Sequence, residues 1–409
     1  MSIIAFRVLQ PCWHRRVKYG CVPFKTSAKQ SSNTKVYKKD CVWKKYSLTL
    51  PKMIQYLIMT EHEKYNNGES YYRSRYVEQF LNLLESRGMR FGILEDKGIL
   101  TDAVTVEGST KAFDFAAITP TPVLKTSYDM GRHENPVQAA ITMAKYVTAR
   151  LKGNSALAGN LGIGITYDSV LKLTYCAYDA KGKPTRTFSF SDNDNEDIHI
   201  GSVLLGAEAY IKDQVFKPTS YALPKYYSEK EDTTQDLAQQ VVAYSRSQNW
   251  SIITSESCTG GFLARQFVKT QNDAFIGGIT LYNEQQKIKE GVLPEQLEFG
   301  NVYSQEVALA MARTARKNYN VDIAIATTGV MENPDTRPFH QHIDLGTIYY
   351  AFIIGGKPFS GLIRVSPFNI NGSKKTRKDI KTETSDLIFQ KLLLNMSETT
   401  NLFSMYLSK

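Results

Sequence analysis

The chain has 409 residues, of which 42% are hydrophobic and 22% charged, and its net charge is +10. That length suggests two domains or one large one. The composition excludes a fully disordered chain, a collagen-like fibre and a low-complexity polymer. Five cysteines (Cys12, Cys21, Cys41, Cys176 and Cys258) form no C-x-x-C pair. Neither a disulfide scaffold nor a zinc ribbon is expected, and a reducing compartment fits better.

The charge is not spread evenly. Residues 1–39 hold Arg7, Arg15, Arg16, Lys18, Lys25, Lys29, Lys35, Lys38 and Lys39 and no acid. Those nine charges leave +1 for residues 40–409. A phosphate-tracking surface needs cations clustered on the fold itself, so nucleic acid is not an expected partner. The leader, residues 1–52, is basic and reads as irregular. Its Arg, Lys and Ser content without acids resembles an organellar transit peptide, although Pro11 and Pro23 break any long helix. The alternatives are a disordered tail, or an upstream extension of a chain that starts at Met53 or Met59. The expected location is mitochondrial or cytoplasmic. Apolar runs such as Thr347–Ile354 fall far short of the ~20 residues that cross a bilayer, so no membrane span is expected.

From Tyr71 onward helical and strand patterns alternate. Val77, Phe80, Leu81 and Leu84 recur at helical spacing, and residues 89–94 read as a short strand. Ala139 to Leu151 reads as a helix announced by Asn135-Pro136. Leu171 to Tyr178 and Thr185 to Phe190 read as a hairpin around a turn at Asp179 to Lys183. Ile198 to Val215 reads as a closing helix. After a polar linker, residues 217–234, the same order returns. Leu237 to Ser245 reads as a helix, Trp250 to Thr254 as a strand, Gly260 to Val268 as a helix and Phe275 to Leu281 as a strand. Ser304 to Tyr319 is a helical pattern, followed by strands at Asp322 to Thr327, Gly346 to Ile354 and Ser360 to Val365. Thr376 to Leu394 closes with a helix.

Some correspondences reach residue level. Ala112-Phe113 with Ala116-Ala117-Ile118-Thr119 echoes Ala274-Phe275 with Gly277-Gly278-Ile279-Thr280, and Leu161-Gly162-Ile163 echoes Thr328-Gly329-Val330. The offset stays near 162–168 residues. The pattern predicts an α/β fold built as a tandem: a first copy over 72–216, a linker over 217–234 and a second copy over 235–400.

Ser255-Glu256-Ser257-Cys258-Thr259-Gly260-Gly261 falls between a predicted strand and a predicted helix. Two glycines let backbone approach a ligand closely, and amides at a helix start attract anions such as phosphate. Ser257 and Thr259 add hydroxyls, and Glu256 can orient a neighbour. The alternative reading is a capped helix start behind a tight turn. Cys258 beside a helix start could carry a thiolate, or simply fill space.

The stretch Thr254 to Ala264 resembles the signature of the CinA C-terminal domain family, and the resemblance covers about residues 235–397. Asn283-Glu284 with Gly291-Val292, Val302-Tyr303-Ser304-Gln305-Glu306-Val307-Ala308, Thr328-Gly329 and Gly346-Thr347 resemble further landmarks of that family. The first copy resembles it only through shape and the repeat. The resemblance implies three-layer α/β/α units and a tendency to oligomerise. Here two copies could pair within one chain as an intramolecular pseudo-dimer. It also implies hydrolysis of nicotinamide mononucleotide to nicotinic acid mononucleotide and ammonia, with no cofactor. Ser257 would be the nucleophile and a lysine its base. Glu256, Thr259, Gly260, Gly261, Asn283, Glu284, Thr328 and Gly329 would form the substrate site, for a pyridine nucleotide or a similar phosphate-bearing small molecule.

The chain departs from the family at the base. An ungapped register from Asn283-Glu284 puts Leu281 at the family tyrosine and Gln286 at the family lysine, and a glutamine takes no proton. A one-residue slip gives those roles to Tyr282 and Lys287; Lys289 is the other nearby candidate. After Gly329 the family's glycine-rich loop is replaced by Met331-Glu332-Asn333-Pro334. The first copy's turn, Leu94-Glu95-Asp96-Lys97-Gly98-Ile99, has no serine and no glycine pair. These departures keep a second reading in play, a catalytically inactive nucleotide-binding or scaffold subunit. His340, His342 and Asp344 alternate but have no third His or Cys nearby, so no metal site is expected. The run Lys374, Lys375, Arg377, Lys378, Lys381 reads as a solvated face.

Overall fold

The computed structural model describes residues 71–105, 112–121, 135–151, 159–191, 196–214, 233–297, 302–331 and 343–407. The chain divides into two compact units, 1–60 and 61–409, and every described residue belongs to the second. The leader, linker residues 217–232 and the loop at 332–342 lie outside the described residues. So do the expectations placed on them, His340 and His342 included.

The first half contains α1 (Tyr71–Ser86), β1 (Met89–Glu95), α2 (Ile99–Val104), β2 (Phe113–Ile118) and α3 (Pro136–Leu151). It continues through β3 (Gly159–Asp168), β4 (Leu173–Ala180), β5 (Arg186–Phe190) and α4 (Glu196–Ile211). The second half contains α5 (Thr233–Ser247), β6 (Ile252–Glu256), α6 (Phe262–Lys269), β7 (Phe275–Leu281), α7 (Glu284–Glu290) and α8 (Pro294–Leu297). Then come α9 (Gln305–Tyr319), β8 (Ile323–Val330), β9 (Thr347–Ile354), β10 (Lys357–Arg364) and α10 (Arg377–Leu407).

The ten strands among the described residues form one sheet in the order β10-β9-β8-β6-β7-β2-β1-β3-β4-β5. Within the first half β1 runs parallel to β2 and β3, and β4 and β5 return antiparallel. The second half repeats this arrangement strand for strand, with β6 parallel to β7 and β8 and antiparallel returns at β9 and β10. The halves join where β2 pairs antiparallel with β7, Phe115 opposite Leu281 and Ile118 opposite Gly278.

Helices cover both faces of this α/β sheet, because its central strands are apolar on both sides: all of β2, β6 and β7 is buried. On one face Met143, Val147 and Leu151 of α3 share a single core with Val307, Met311 and Ala315 of α9. That core crosses the junction through Phe115, Ala117, Ile279 and Leu281. On the other face each half keeps its own core, under α1, α2 and α4 in the first half and under α5, α6 and α10 in the second.

Several elements depart from the sequence reading. The strand β1 runs one residue further than expected, to Glu95, and Ile99 opens α2 where a turn alone is expected. The strand β3 is not anticipated as a full strand, and α10 continues from Leu394 to Leu407. The basic run at its start is a solvated face only in part: Lys374 and Lys378 are exposed, but Lys381 is buried and points into the junction.

Candidate active site

The strand β6 ends on Glu256, and the chain turns through Ser257 to Gly261 into α6. Gly260 (φ 62°) and Gly261 (φ 86°) both adopt the left-handed conformation that other residues resist. Glu256 is fully buried, and its carboxylate accepts from the amides of Leu263 (3.1 Å) and Ala264 (2.9 Å) and from the Thr254 hydroxyl (3.0 Å). It caps α6 from inside. Burial pushes its carboxyl above the ordinary range, against these bonds, which favour the ionised form. The amides that the sequence reading offers to a phosphate are therefore occupied by the protein's own carboxylate. Glu256 shapes the turn and has no surface to offer a substrate.

Ser257 stands at the bend, 6% exposed, its amide donating to the Thr327 carbonyl at 2.9 Å. Facing it is Lys287, fully buried, whose Nζ donates to Ser257 Oγ at 3.1 Å and to the Leu281 carbonyl at 2.8 Å. The helix that carries Lys287 is α7, whose N-cap is Asn283; the Asn283 side chain accepts from the Gln286 amide at 2.9 Å. Successive residues on a helix differ by about 100°. Lys287 therefore turns to the serine while Gln286 turns away, its Oε1 accepting from Arg150 Nε at 2.8 Å. The side chain that faces Ser257 is thus Lys287 and not Gln286, and Lys289 is also remote, donating to the Arg150 carbonyl. Tyr282, one residue beyond the end of β7, accepts from Arg377 Nη2 at 2.6 Å. The same Arg377 nitrogen donates to the Cys258 carbonyl at 3.3 Å.

The other sequence-derived residues have local duties. Thr259 and Thr327 share a hydroxyl–hydroxyl bond of 2.7 Å, and Thr328 donates to the Val302 carbonyl at 2.9 Å. Asn283 donates to Asp114 of the first half. Gly329 packs against β9, where a Cβ would meet the Thr347 carbonyl at 2.3 Å. Glu284 opens α7, half-buried. Cys258 is no thiolate: burial pushes its thiol up to about 12, against the pull of the Arg377 charge.

The first half repeats the frame without the chemistry. Glu95 is buried and accepts from the amides of Leu100 (3.1 Å) and Thr101 (2.6 Å), as Glu256 does for α6. Its turn has three residues before the helix, Asp96 to Gly98, where the second half has five, Ser257 to Gly261. The junction brings the two turns together. The Thr105 hydroxyl lies 3.1 Å from the Gly260 carbonyl and accepts from Lys381 Nζ at 2.8 Å. Arg265 pairs with Asp102 at 3.7 Å and with Glu196. Sequence reasoning misses Arg150, Asp114 and Thr105 as neighbours of the site, because each acts across more than 130 residues of chain.

Among the described residues no group of three or more His, Cys, Asp or Glu is arranged to hold a metal ion. No helix there is long and apolar enough to cross a membrane.

Residues 234–393 match the family model described as "CinA C-terminal domain". A putative competence-damage inducible protein of Clostridium botulinum (strain Okra / Type B1) is 31% identical over 157 residues, 38% of this chain and 36% of that protein. One from Moorella thermoacetica is 36% identical over 103 residues, 24% of either chain. The chain spans about a third of the length of the first of these relatives. A CinA superfamily protein of Escherichia coli with a solved structure is 22% identical, with a TM-score of 0.36, covering 41% of this chain and 93% of that one.

Proposed function

Residues 234–393 belong to the CinA C-terminal domain family, which includes nicotinamide-nucleotide amidases, and from that premise we propose that the chain is a serine amidohydrolase acting on nicotinamide mononucleotide. One observation carries the reading: a buried lysine amine 3.1 Å from a buried serine hydroxyl, on the turn that resembles the family signature. A serine hydroxyl needs an adjacent base to become a nucleophile. Taking a lysine out of water favours the uncharged amine, the form that accepts a proton.

The reaction then runs in two halves. Ser257 Oγ attacks the carboxamide carbon as Lys287 takes its proton. The oxyanion is met by backbone amides that follow the nucleophile, those of Cys258 and Thr259. The C–N bond breaks as Lys287 returns the proton to the departing nitrogen, and ammonia leaves. Water attacks the acyl-serine as Lys287 takes its proton; Lys287 then gives that proton to Ser257 Oγ as the C–O bond breaks, and the acid product leaves with both residues restored. The Arg377 guanidinium, at the Cys258 carbonyl, supplies positive charge beside the turn for the nucleotide phosphate.

The test is incubation of the full chain with nicotinamide mononucleotide, following ammonia and the acid product. Wild type releases both in equal amounts, and Ser257→Ala releases neither while keeping its fold. Binding of the nucleotide without ammonia would replace this reading with the inactive nucleotide-binding one.

A further inference from the structure

Helix α7 has only seven residues, Glu284–Glu290, too few to hold its own shape in water. It is held in part by α9, which gives Asn318 and Tyr319 to Glu290, and in part by polar groups of the other half of the chain. Arg150, at the end of α3, has a side chain 10% exposed. Its Nε donates to Gln286 Oε1 at 2.8 Å and its Nη2 pairs with Glu290 Oε1 at 2.6 Å. Gln286 and Glu290 are four apart and so share one helix face. Its guanidinium also stacks on Phe115, 4.1 Å from the ring centre. Glu290 is completed by the Tyr319 hydroxyl at 3.1 Å, and Lys289 donates to the Arg150 carbonyl. At the opposite end, Asn283 is held by Asp114, itself paired with Arg90. Lys287 is the next residue round from Gln286 and aims at Ser257.

We propose that Arg150 is a positioning residue for Lys287, so that the half without a nucleophile sets the base of the half that has one. This rests on the reading of Ser257 and Lys287 as nucleophile and base. The guanidinium is planar and contacts two residues of one helix face, which fixes the rotation of α7 as well as its place. Rotation matters most. A group about 6 Å from a helix axis moves about 1 Å for each 10°, and a misplacement of that size can cost on the order of 100-fold in rate.

The comparison uses the full chain with four changes: Arg150→Ala, Arg150→Lys, the pair Arg150→Met with Glu290→Gln, and a control, Arg246→Ala, which removes an exposed ion pair with Asp273. The paired change leaves no charge buried alone, so it keeps the comparison usable if Arg150→Ala fails to fold. The probe is phenylmethylsulfonyl fluoride, with the rate of sulfonylation at Ser257 read by mass spectrometry across pH 6–10. That rate reports serine activation whatever the amide substrate is, so failure of the nicotinamide reading leaves it decisive. Hydrogen exchange over residues 284–290 is measured in parallel. The folded Met/Gln pair is expected to label at least about 10-fold more slowly, with a displaced pH profile and faster exchange over 284–290. Arg150→Lys should recover part of the rate, since it keeps a cation at Glu290 but cannot reach both partners. Wild-type labelling and an unchanged pH profile in the folded pair would overturn the proposal, even with faster exchange, because Arg150 would then be merely structural.

Discussion

Gly260→Ala tests how tightly the turn that carries Ser257 is seated on the first half. A Cβ at Gly260 would lie 2.5 Å from Thr105 Oγ1, 2.6 Å from its Cβ and 2.9 Å from its Cγ2. All three are shorter than real contacts allow, so the turn or the end of α2 must move. The residue also has φ 62°, which costs a non-glycine residue about 1–2 kcal/mol. Overpacking adds about 1–3 kcal/mol. The expected loss is thus about 2–5 kcal/mol, read from the urea midpoint at constant slope. The two contributions can be separated. Thr105→Gly removes the three clashing atoms but leaves the φ cost. The double variant should therefore be more stable than the sum of the single changes by at least ~1 kcal/mol. Ammonia release should recover in the same order, since Gly260 is three residues from Ser257. Simple additivity, or a neutral Gly260→Ala, would refute the seating of this turn against Thr105.

Two further expectations follow from buried ionisable groups. Burial lowers the Lys381 amine to about 8, with the Arg377 charge in the same direction and the Asp102 and Glu256 charges opposing. The folded chain therefore holds that proton less tightly than the unfolded chain, and stability rises with pH from about 8 to the unfolded value near ~10.5. Between pH 7.5 and 9.5 this gain is about 2 kcal/mol; Lys381→Met should lack it, and parallel stability–pH curves for the two proteins would contradict the burial. With its thiol raised to about 12, Cys258 should resist iodoacetamide at pH 8 in the folded chain, and Cys258→Ala should retain turnover; rapid alkylation at Cys258 would show a thiolate that this geometry excludes.

Much of the fold is legible before any coordinates. The strand Phe275–Leu281 has the boundaries that its apolar run suggests, and the turn from Glu256 to Gly261 lies between strand and helix as its glycines require. Strand β3 is harder to read for a physical reason. It contains Gly159, Gly162 and Gly164, which look like turn signals, yet Gly162 and Gly164 are where α3 lies directly on the sheet. A Cβ at Gly162 would sit 2.0 Å from the Ala144 carbonyl. The lysine that faces Ser257 is obscured by angle rather than by composition. Gln286 and Lys287 are neighbours in sequence and about 100° apart on a helix, so a one-residue choice of register decides which faces Ser257. Only the placement of α7 resolves that choice, and α7 is held in part by Asp114 and Arg150, 169 and 136 residues away from their partners. No local pattern carries information at that range.

The two halves therefore differ in what their shared frame is used for. Glu95 and Glu256 perform the same task, an internal carboxylate closing the first amides of a helix that follows a parallel strand. That arrangement needs neither a serine nor a glycine pair, and in the first half the shorter turn is filled instead. Lys97 lies over the Tyr167 ring at 3.3 Å, and Asp96 accepts from the Tyr167 amide. The shorter turn thus belongs to packing. Its helix ends at Thr105, against Gly260, and its neighbour Asp102 meets both Arg265 and Lys381. Buried charges of this kind are costly when separated from their partners. Arg265 and Lys381 have side chains 5% and 4% exposed, and both point at the first half. The second half is thus built to be completed by the first, along the same edge that places Arg150 against the helix of Lys287.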